Sequence, residues 1–272
     1  MELVDTHCHI QSIGQLDMGE ETTRKLWEKA GDISANTVIA AAEKTGVTRL
    51  ICVGCDLEDS RLAIEFVRSR TTCWASIGIH PHEAQHFTGN QKSLREFANL
   101  ASEPKVVAIG ECGLDFYYNH SSKAAQLAML HFQIELALEY NLPLIFHVRE
   151  AFDDFWPVFD RHPGVQGVLH SFTDSADNLA KALERGLYIG VNGIATFTKN
   201  QVQTEVYKAI PLQKLVLETD APFLTPTPYR GRVNEPKQVA VIADFLAKLR
   251  AEDRETLAAA TTINARKLFG IA

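Results

Sequence analysis

Residues 106–146 read VVAIGECGLDFYYNHSSKAAQLAMLHFQIELALEYNLPLIF, and this stretch holds the unit whose repetition decides the fold. It opens on a short aliphatic run, residues 106–109, without the polar alternation of a half-buried strand. That pattern suits a strand covered on both faces, as in a parallel sheet. A helical pattern follows over residues 124–140, where Leu127, Leu130, Ile134 and Leu138 recur at spacings of three and four and are expected to line one face. A second aliphatic run, residues 144–146, closes the unit.

The same alternation continues in both directions. Aliphatic runs at residues 3–5, 49–53, 74–79, 167–169, 188–191 and 215–217 bring the expected strands to eight. Helices are expected near residues 36–45, 57–69, 91–102, 122–140, 151–161, 175–185, 199–209 and 236–249. Gly46 and Gly186 stand between a helical pattern and a strand, as residues that end a helix in the left-handed conformation do. Asp174, with Asp177 three residues on, reads as the cap of the next helix. No internal repeat, low-complexity tract or Gly/Ser/Pro linker divides the chain. Eight β/α units over residues 1–272 therefore predict one domain of the α/β class, a (β/α)8 TIM barrel. Two segments fall outside the rhythm. Residues 11–36 form a long connection with a short helix expected around 21–29, read as a lid or rim or as a solvated insertion. Residues 254–269 read as a closing helix without evident chemistry.

Composition agrees with a globular enzyme-sized domain: 272 residues, 46% hydrophobic and 22% charged. The net charge of −7 disfavours a protein that grips nucleic acid through a broad basic surface. With no run of about 18 apolar residues and no signal-peptide pattern, a cytoplasmic protein without a membrane partner is expected. Five cysteines, odd in number and sparse, argue for a reducing compartment. Cys52 and Cys55 form a Cys-x-x-Cys pair, but it ends a strand instead of opening a helix, so it does not match a thioredoxin-like motif.

Barrel enzymes carry their chemistry at the carboxyl ends of the strands. Here the first strand is followed by His7 and His9, the fourth by Glu111, the fifth by His147, the sixth by His170 and the eighth by Asp220. Any one of these histidines alone reads as a hydrogen-bonded core residue. Together, four imidazoles and two carboxylates at matching positions form a ligand set for one or two divalent metals. The mixed nitrogen and oxygen donors favour Zn, Mn, Ni or Co over Mg. His7 and His9, two apart in extended chain, send both imidazoles to one side and Cys8 to the other. Glu111 has two oxygens with which to bridge cations, so His7, His9 and Asp220 are assigned to one cation, and His147 and His170 to the other. His80, His82, Arg149 and Arg230 are expected on the substrate side, as donors to a phosphate. His86, His120, His131 and His162 read as structural.

Six motifs, in this order along the chain, resemble the TatD family of metal-dependent deoxyribonucleases. They are Asp5-Thr6-His7-Cys8-His9, Gly78-Ile79-His80-Pro81-His82, residues 109–118, residues 146–151, residues 169–173 and residues 218–224 continuing through Asn234-Glu235-Pro236. The resemblance implies an amidohydrolase-like barrel, two divalent cations and hydrolysis of phosphodiesters, typically 3′ to 5′ exonucleolytic removal of nucleotides from DNA. It places the metal ligands on His7, His9, Glu111, His147, His170 and Asp220, and the substrate contacts on His80, His82, Arg149 and Arg230. The expected partner is DNA, at single-stranded 3′ ends, with no obligate protein partner. In the expected mechanism Asp220 orients a metal-activated water and accepts its proton, with Glu111 the second catalytic carboxylate. Members of the family commonly follow the first motif with Leu-Asp and a short loop; Ile10-Gln11 and the long connection depart from that. The alternative activity is hydrolysis of a carboxyl ester or amide, such as an aminoacyl-tRNA ester or a cyclic amide, on the same metal site. A barrel that stores metal without turnover is the non-enzymatic alternative, against which an open ligand set with Asp220 intact weighs.

Overall fold

All eight aliphatic runs become strands, and three of them extend beyond the apolar residues into the polar ones. The computed structural model describes residues 2–15 and 21–272. In chain order the elements are β1 (Leu3–Cys8), α1 (Glu21–Glu28), α2 (Ala35–Lys44), β2 (Val47–Val53), α3 (Leu57–Arg68), β3 (Cys73–Ile77), α4 (Ala84–Phe87) and α5 (Gln91–Leu100). There follow β4 (Val106–Asp115), α6 (Lys123–Tyr140), β5 (Leu144–Arg149), α7 (Phe152–Phe159), β6 (Gly167–Leu169), α8 (Ala176–Glu184), β7 (Tyr188–Val191) and α9 (Gln201–Ala209). The chain ends on β8 (Leu215–Leu217), α10 (Val239–Arg250) and α11 (Arg254–Phe269). The sheet has eight strands in the order β1 to β8, the topology of a (β/α)8 barrel. No helix among the described residues is long and apolar enough to cross a membrane.

The chain divides into two compact units, residues 1–52 with 171–272, and residues 53–170. In the first unit β1 pairs with β2 and β7 with β8, all parallel, and Cys8 makes a parallel bridge with Ala221 just after β8. Leu3, Leu50, Ile51, Val216 and Leu217 are buried there, and α11 packs on β1 and β8. The closing helix thus has a structural task. In the second unit β3, β4, β5 and β6 pair in order, all parallel, with α3 on β3 and α6 on β4. Ile77, Ile109, Phe146 and Phe155 fill its core.

The strand extensions matter for the chemistry. β4 and β5 stay paired through Gly113 opposite His147 and Asp115 opposite Arg149, so polar residues occupy fixed ladder positions. Gly113 makes this close approach possible, because a Cβ there would collide with the carbonyl oxygen of His147.

Several local expectations are corrected. Leu138 is 39% exposed, and the buried face of α6 runs instead through Met129, Leu130, Gln133, Ile134, Leu136 and Ala137. The helix is apolar nearly all round, so the three-four spacing could not single out the covered side. Two glutamines lie on that side because they hydrogen-bond strand-end backbone. The cap of α8 is Ser175, whose hydroxyl accepts from the Asn178 N–H, while Asp174 accepts from the Ser175 N–H and the Asn178 amide. The helix expected over 236–249 opens on a 3-10 turn, Pro236–Gln238, before α10. Gly46 and Gly186 have φ of 90° and 76°, the left-handed helix ends foreseen. Of the long connection, residues 16–20 lie outside the described residues; α1 forms over Glu21–Glu28.

Candidate metal centre

In the first unit, β1 delivers His7 and His9 to one side while the Cys8 thiol, on the other, donates to the Ile51 carbonyl at 3.4 Å. Asp220 follows β8 with φ of 59°, a left-handed conformation uncommon outside glycine. Backbone bonds lace these ends together: the Asp220 N–H donates to the His7 carbonyl and the His9 N–H to the Ala221 carbonyl, both at 2.8 Å. The result is a triangle of donor atoms. His7 Nε2 and His9 Nε2 are 3.3 Å apart, and Asp220 Oδ1 is 3.6 Å from the first and 3.4 Å from the second. A tetrahedral cation with ligands at about 2.1 Å has ligand–ligand edges of about 3.4 Å, so the three atoms fit one face of such a shell.

Beneath the triangle lies Asp5, fully buried. Its Oδ1 accepts from the N–H of His7 at 3.3 Å and of Thr219 at 2.8 Å, and its Oδ2 accepts from the Thr219 hydroxyl. Burial pushes this carboxyl up to about 8, against the pull of those hydrogen bonds. Asn234 donates to the carbonyls of Thr219 at 2.9 Å and Phe223 at 2.6 Å, tying down the chain that leaves Asp220. The insertion is anchored here too: the buried Trp27 of α1 donates its indole N–H to the His9 carbonyl at 3.0 Å. Together with the segment after β8, α1 walls a cavity of about 870 Å³ whose lining includes Lys29, Arg232 and Lys237. Trp27, with an apolar ring to bury and an N–H to satisfy, thus packs the described part of residues 11–36, read from the sequence as a lid or rim or as a solvated insertion, against the chain at His9.

In the second unit Glu111 lies within β4, which runs on past the expected end of its aliphatic run, His147 within β5 and His170 just after β6. Glu111 Oε1 is 2.7 Å from His147 Nδ1, 3.6 Å from His80 Nε2 and 3.8 Å from His170 Nε2. His80, Glu111 and His147 are close enough to hold one metal ion. His80 and His170 stand near ligand–ligand spacing from the carboxylate, whereas His147 is at hydrogen-bond distance. Its other nitrogen, Nε2, is 2.9 Å from Asp115 Oδ2, which also meets His82 Nε2 at 3.1 Å. Burial disfavours charge on His147, but the bonds to Asp115 and Glu111 outweigh it and raise its pKa to about 9. Burial likewise works against the Asp115 anion, yet the two imidazoles and the Tyr118 N–H hold it below the usual carboxylate range.

A family model for TatD related DNases matches residues 4–270. The chain is 35% identical over 271 residues to the "Uncharacterized metal-dependent hydrolase YabD" of Bacillus subtilis (strain 168), covering 99% of each. It is 36% identical over 267 residues to the "3'-5' ssDNA/RNA exonuclease TatD" of Escherichia coli (strain K12), covering 94% of this chain and 99% of that one. The chain belongs to the TatD family. Among solved structures it resembles YjjV, a TatD homolog of Escherichia coli, with a TM-score of 0.83 and 27% identity over 99% of this chain and 98% of that one. Fold and enzyme class follow from TatD membership: a barrel hydrolase acting on phosphodiester bonds.

Within this TatD chain, four functional supports escaped the sequence reading. Asp115 shares its strand face with Glu111, four residues on, and that spacing was the available signal. Asp5 stands two residues before His7 on the same principle. Gln126 and Gln133 gave no signal, because their roles require α6 to be docked on β4. Gln126 pairs with the Asp115 N–H at 2.7 Å and the Asp115 carbonyl at 3.0 Å; Gln133 does the same for Ile79 at 2.7 and 3.0 Å. Of the expected substrate residues, His80 and His82 face Glu111 and Asp115. Arg230 stacks on Phe197 at 3.9 Å and donates to the Thr225 carbonyl at 3.0 Å, and so braces its own loop.

Proposed function

We propose that this protein is a metal-dependent exonuclease that removes nucleotides from the 3′ ends of single-stranded DNA. The observation that carries the reading is the triangle of His7, His9 and Asp220, whose edges match one face of a cation's shell. The Escherichia coli relative, 36% identical and named a 3'-5' ssDNA/RNA exonuclease, supports the substrate and the polarity. Two cations are proposed, one on His7, His9 and Asp220 and one on His147 and His170, with Glu111 shared; Zn, Mn, Mg, Ni and Co are the candidates.

Bound divalent cations lower the pKa of water toward 7 and stabilise charge developing on phosphate oxygens. Asp220 orients the attacking water and accepts its proton. Glu111, as the second catalytic carboxylate, keeps His147 and His170 gathered at one point. His80 and His82 contact the scissile phosphate, and Arg149 and Arg230 supply guanidinium donors to its non-bridging oxygens. The net charge of −7 does not oppose this: of 34 acidic residues, only Glu111 and Asp220 are in the ligand set. The chain works as a single domain, in the cytoplasm, where its five cysteines stay reduced.

The test is metal-stripped protein re-supplied in turn with Zn, Mn, Mg or Co and given 3′-labelled and 5′-labelled single-stranded DNA beside a carboxyl ester and an amide. Ladders shortening from the 3′ end are expected. Turnover of the ester or amide with no cleavage of DNA overturns the reading.

A further inference from the structure

Just past Asp115 the chain turns and presents two neighbouring tyrosines to solvent, Tyr117 at 53% and Tyr118 at 51% exposure. Their rings stand perpendicular, 4.8 Å apart. The guanidinium of Arg149 lies over both, 4.1 Å from the Tyr117 centroid and 4.7 Å from that of Tyr118. His120 runs parallel to Tyr118, at 5.9 Å and an interplanar angle of 9°. Exposed rings of this size do not persist by burial. They are ordered because Asp115 Oδ1 accepts from the N–H groups of Tyr117 at 3.0 Å and Tyr118 at 2.9 Å.

The same carboxylate joins this surface to the candidate ligands. Asp115 Oδ2 meets His147 and His82, and the His82 ring is 5.6 Å from Tyr118 and 4.6 Å from His120. Arg149 is opposite Asp115 in the ladder and two residues beyond His147 on β5, so both side chains leave the strand on one side. Arg149 makes no ion pair among the described residues. Two half-exposed tyrosine rings with a guanidinium lying over them, itself in no ion pair among the described residues, suit a flat ring attached to an anion.

We propose that Tyr117, Tyr118 and Arg149 form a stacking platform for an unpaired nucleobase of the substrate strand, with Arg149 on the adjoining phosphate. The inference rests on the nucleic-acid reading above and adds to it a reason for single-strand preference. A base in a duplex keeps its faces stacked on its neighbours, whereas a free base offers a face to the tyrosines. Recognition is of the ring face, so it tolerates any base.

Binding, read without turnover, tests this. Protein in chelator is titrated into a fluorescent single-stranded oligodeoxynucleotide and into an abasic strand of equal length. The unmodified protein is expected to bind the base-bearing strand about ten-fold or more tightly, since stacking contributes that much per base. In the Tyr117→Ala/Tyr118→Ala double variant that preference falls to about two-fold or less, and the Tyr117→Phe/Tyr118→Phe variant restores it, because the rings and not the hydroxyls stack. A 2-aminopurine base in the strand is quenched by the unmodified protein. Equal binding of the two strands by the unmodified protein, failure to bind either included, overturns the inference, as does a folded double-alanine variant that keeps the preference. Hydrolysis is not read here, so a protein inert toward phosphodiesters would overturn the proposed function and leave the platform standing.

Discussion

His7, His9 and Asp220 stand 3.3 to 3.6 Å apart with a lattice of backbone hydrogen bonds under them, whereas His147 closes on Glu111 and Asp115 at 2.7 and 2.9 Å. The first cluster is spaced by the chain itself. Asp5, Thr219 and the bonds between β1 and the end of β8 set where each donor atom sits. In the second, backbone bonds also hold the neighbours, His80 N–H to the Cys55 carbonyl at 2.8 Å and His170 N–H to the Phe146 carbonyl at 2.9 Å, but His147 itself stands in a carboxylate–imidazole–carboxylate chain that raises its pKa to about 9. In the assignment proposed above, a cation entering the first would meet donor atoms already near the edge of its shell; at the second it would have to part His147 from its partners and compete with the proton those partners favour. The contrast is between a candidate cluster already at ligand spacing, the fixed one, and a candidate cluster that would have to rearrange around a cation, the adaptable one.

The largest break in this comparison comes from Asp220→Asn, which keeps the shape of the fixed cluster and removes its proton acceptor. Turnover on single-stranded DNA should fall by about 10²–10⁴, the usual share of general acid–base catalysis, with circular dichroism unchanged. Full turnover would show that the fixed cluster does not supply the base. Next in size is Asp115→Asn, which loosens the adaptable cluster. Metal content by mass spectrometry, or kcat, is expected to fall about 10–100-fold, as when a carboxylate behind a ligating histidine is lost. Asp5→Asn keeps an acceptor for both backbone N–H groups and should cost less than about ten-fold; the reverse ranking would remove the distinction between the two supports.

Stability sharpens the same contrast. Gly113→Ala puts a methyl against the His147 carbonyl at a φ of 151°, and chemical denaturation should show a loss of about 1–3 kcal/mol. Gly231, with φ of 85° and nothing within 4 Å of an added Cβ, is the control for conformational strain without collision. The smallest effect is expected from Trp27→Phe, which leaves the ring buried and removes the N–H to the His9 carbonyl, a bond worth about 0.5–1.5 kcal/mol. An effect several times larger would mean that the rim holds the fixed cluster in place.

By itself the sequence determined the class of fold and the six polar residues that follow five of its aliphatic runs. A strand covered on both faces must be aliphatic throughout, so eight such runs announce eight strands, and a histidine or carboxylate directly after one stands out against them. The motifs that tie the chain to its family are legible for the same reason: each is local, a few residues at fixed spacing. What only the tertiary structure decided depends on pairs distant along the chain. Asp5 reaches Thr219, Gln126 reaches the backbone of Asp115, Trp27 reaches His9, and Arg149 lies over two tyrosines more than thirty residues earlier in the chain. Helix periodicity could not choose the buried side of α6, because a helix apolar nearly all round leaves that choice to what it packs against. The same holds for the two clusters: residue types set which atoms could ligate, and only the folded chain decides their spacing, 3.3 to 3.6 Å in one and 2.7 Å between His147 and Glu111 in the other.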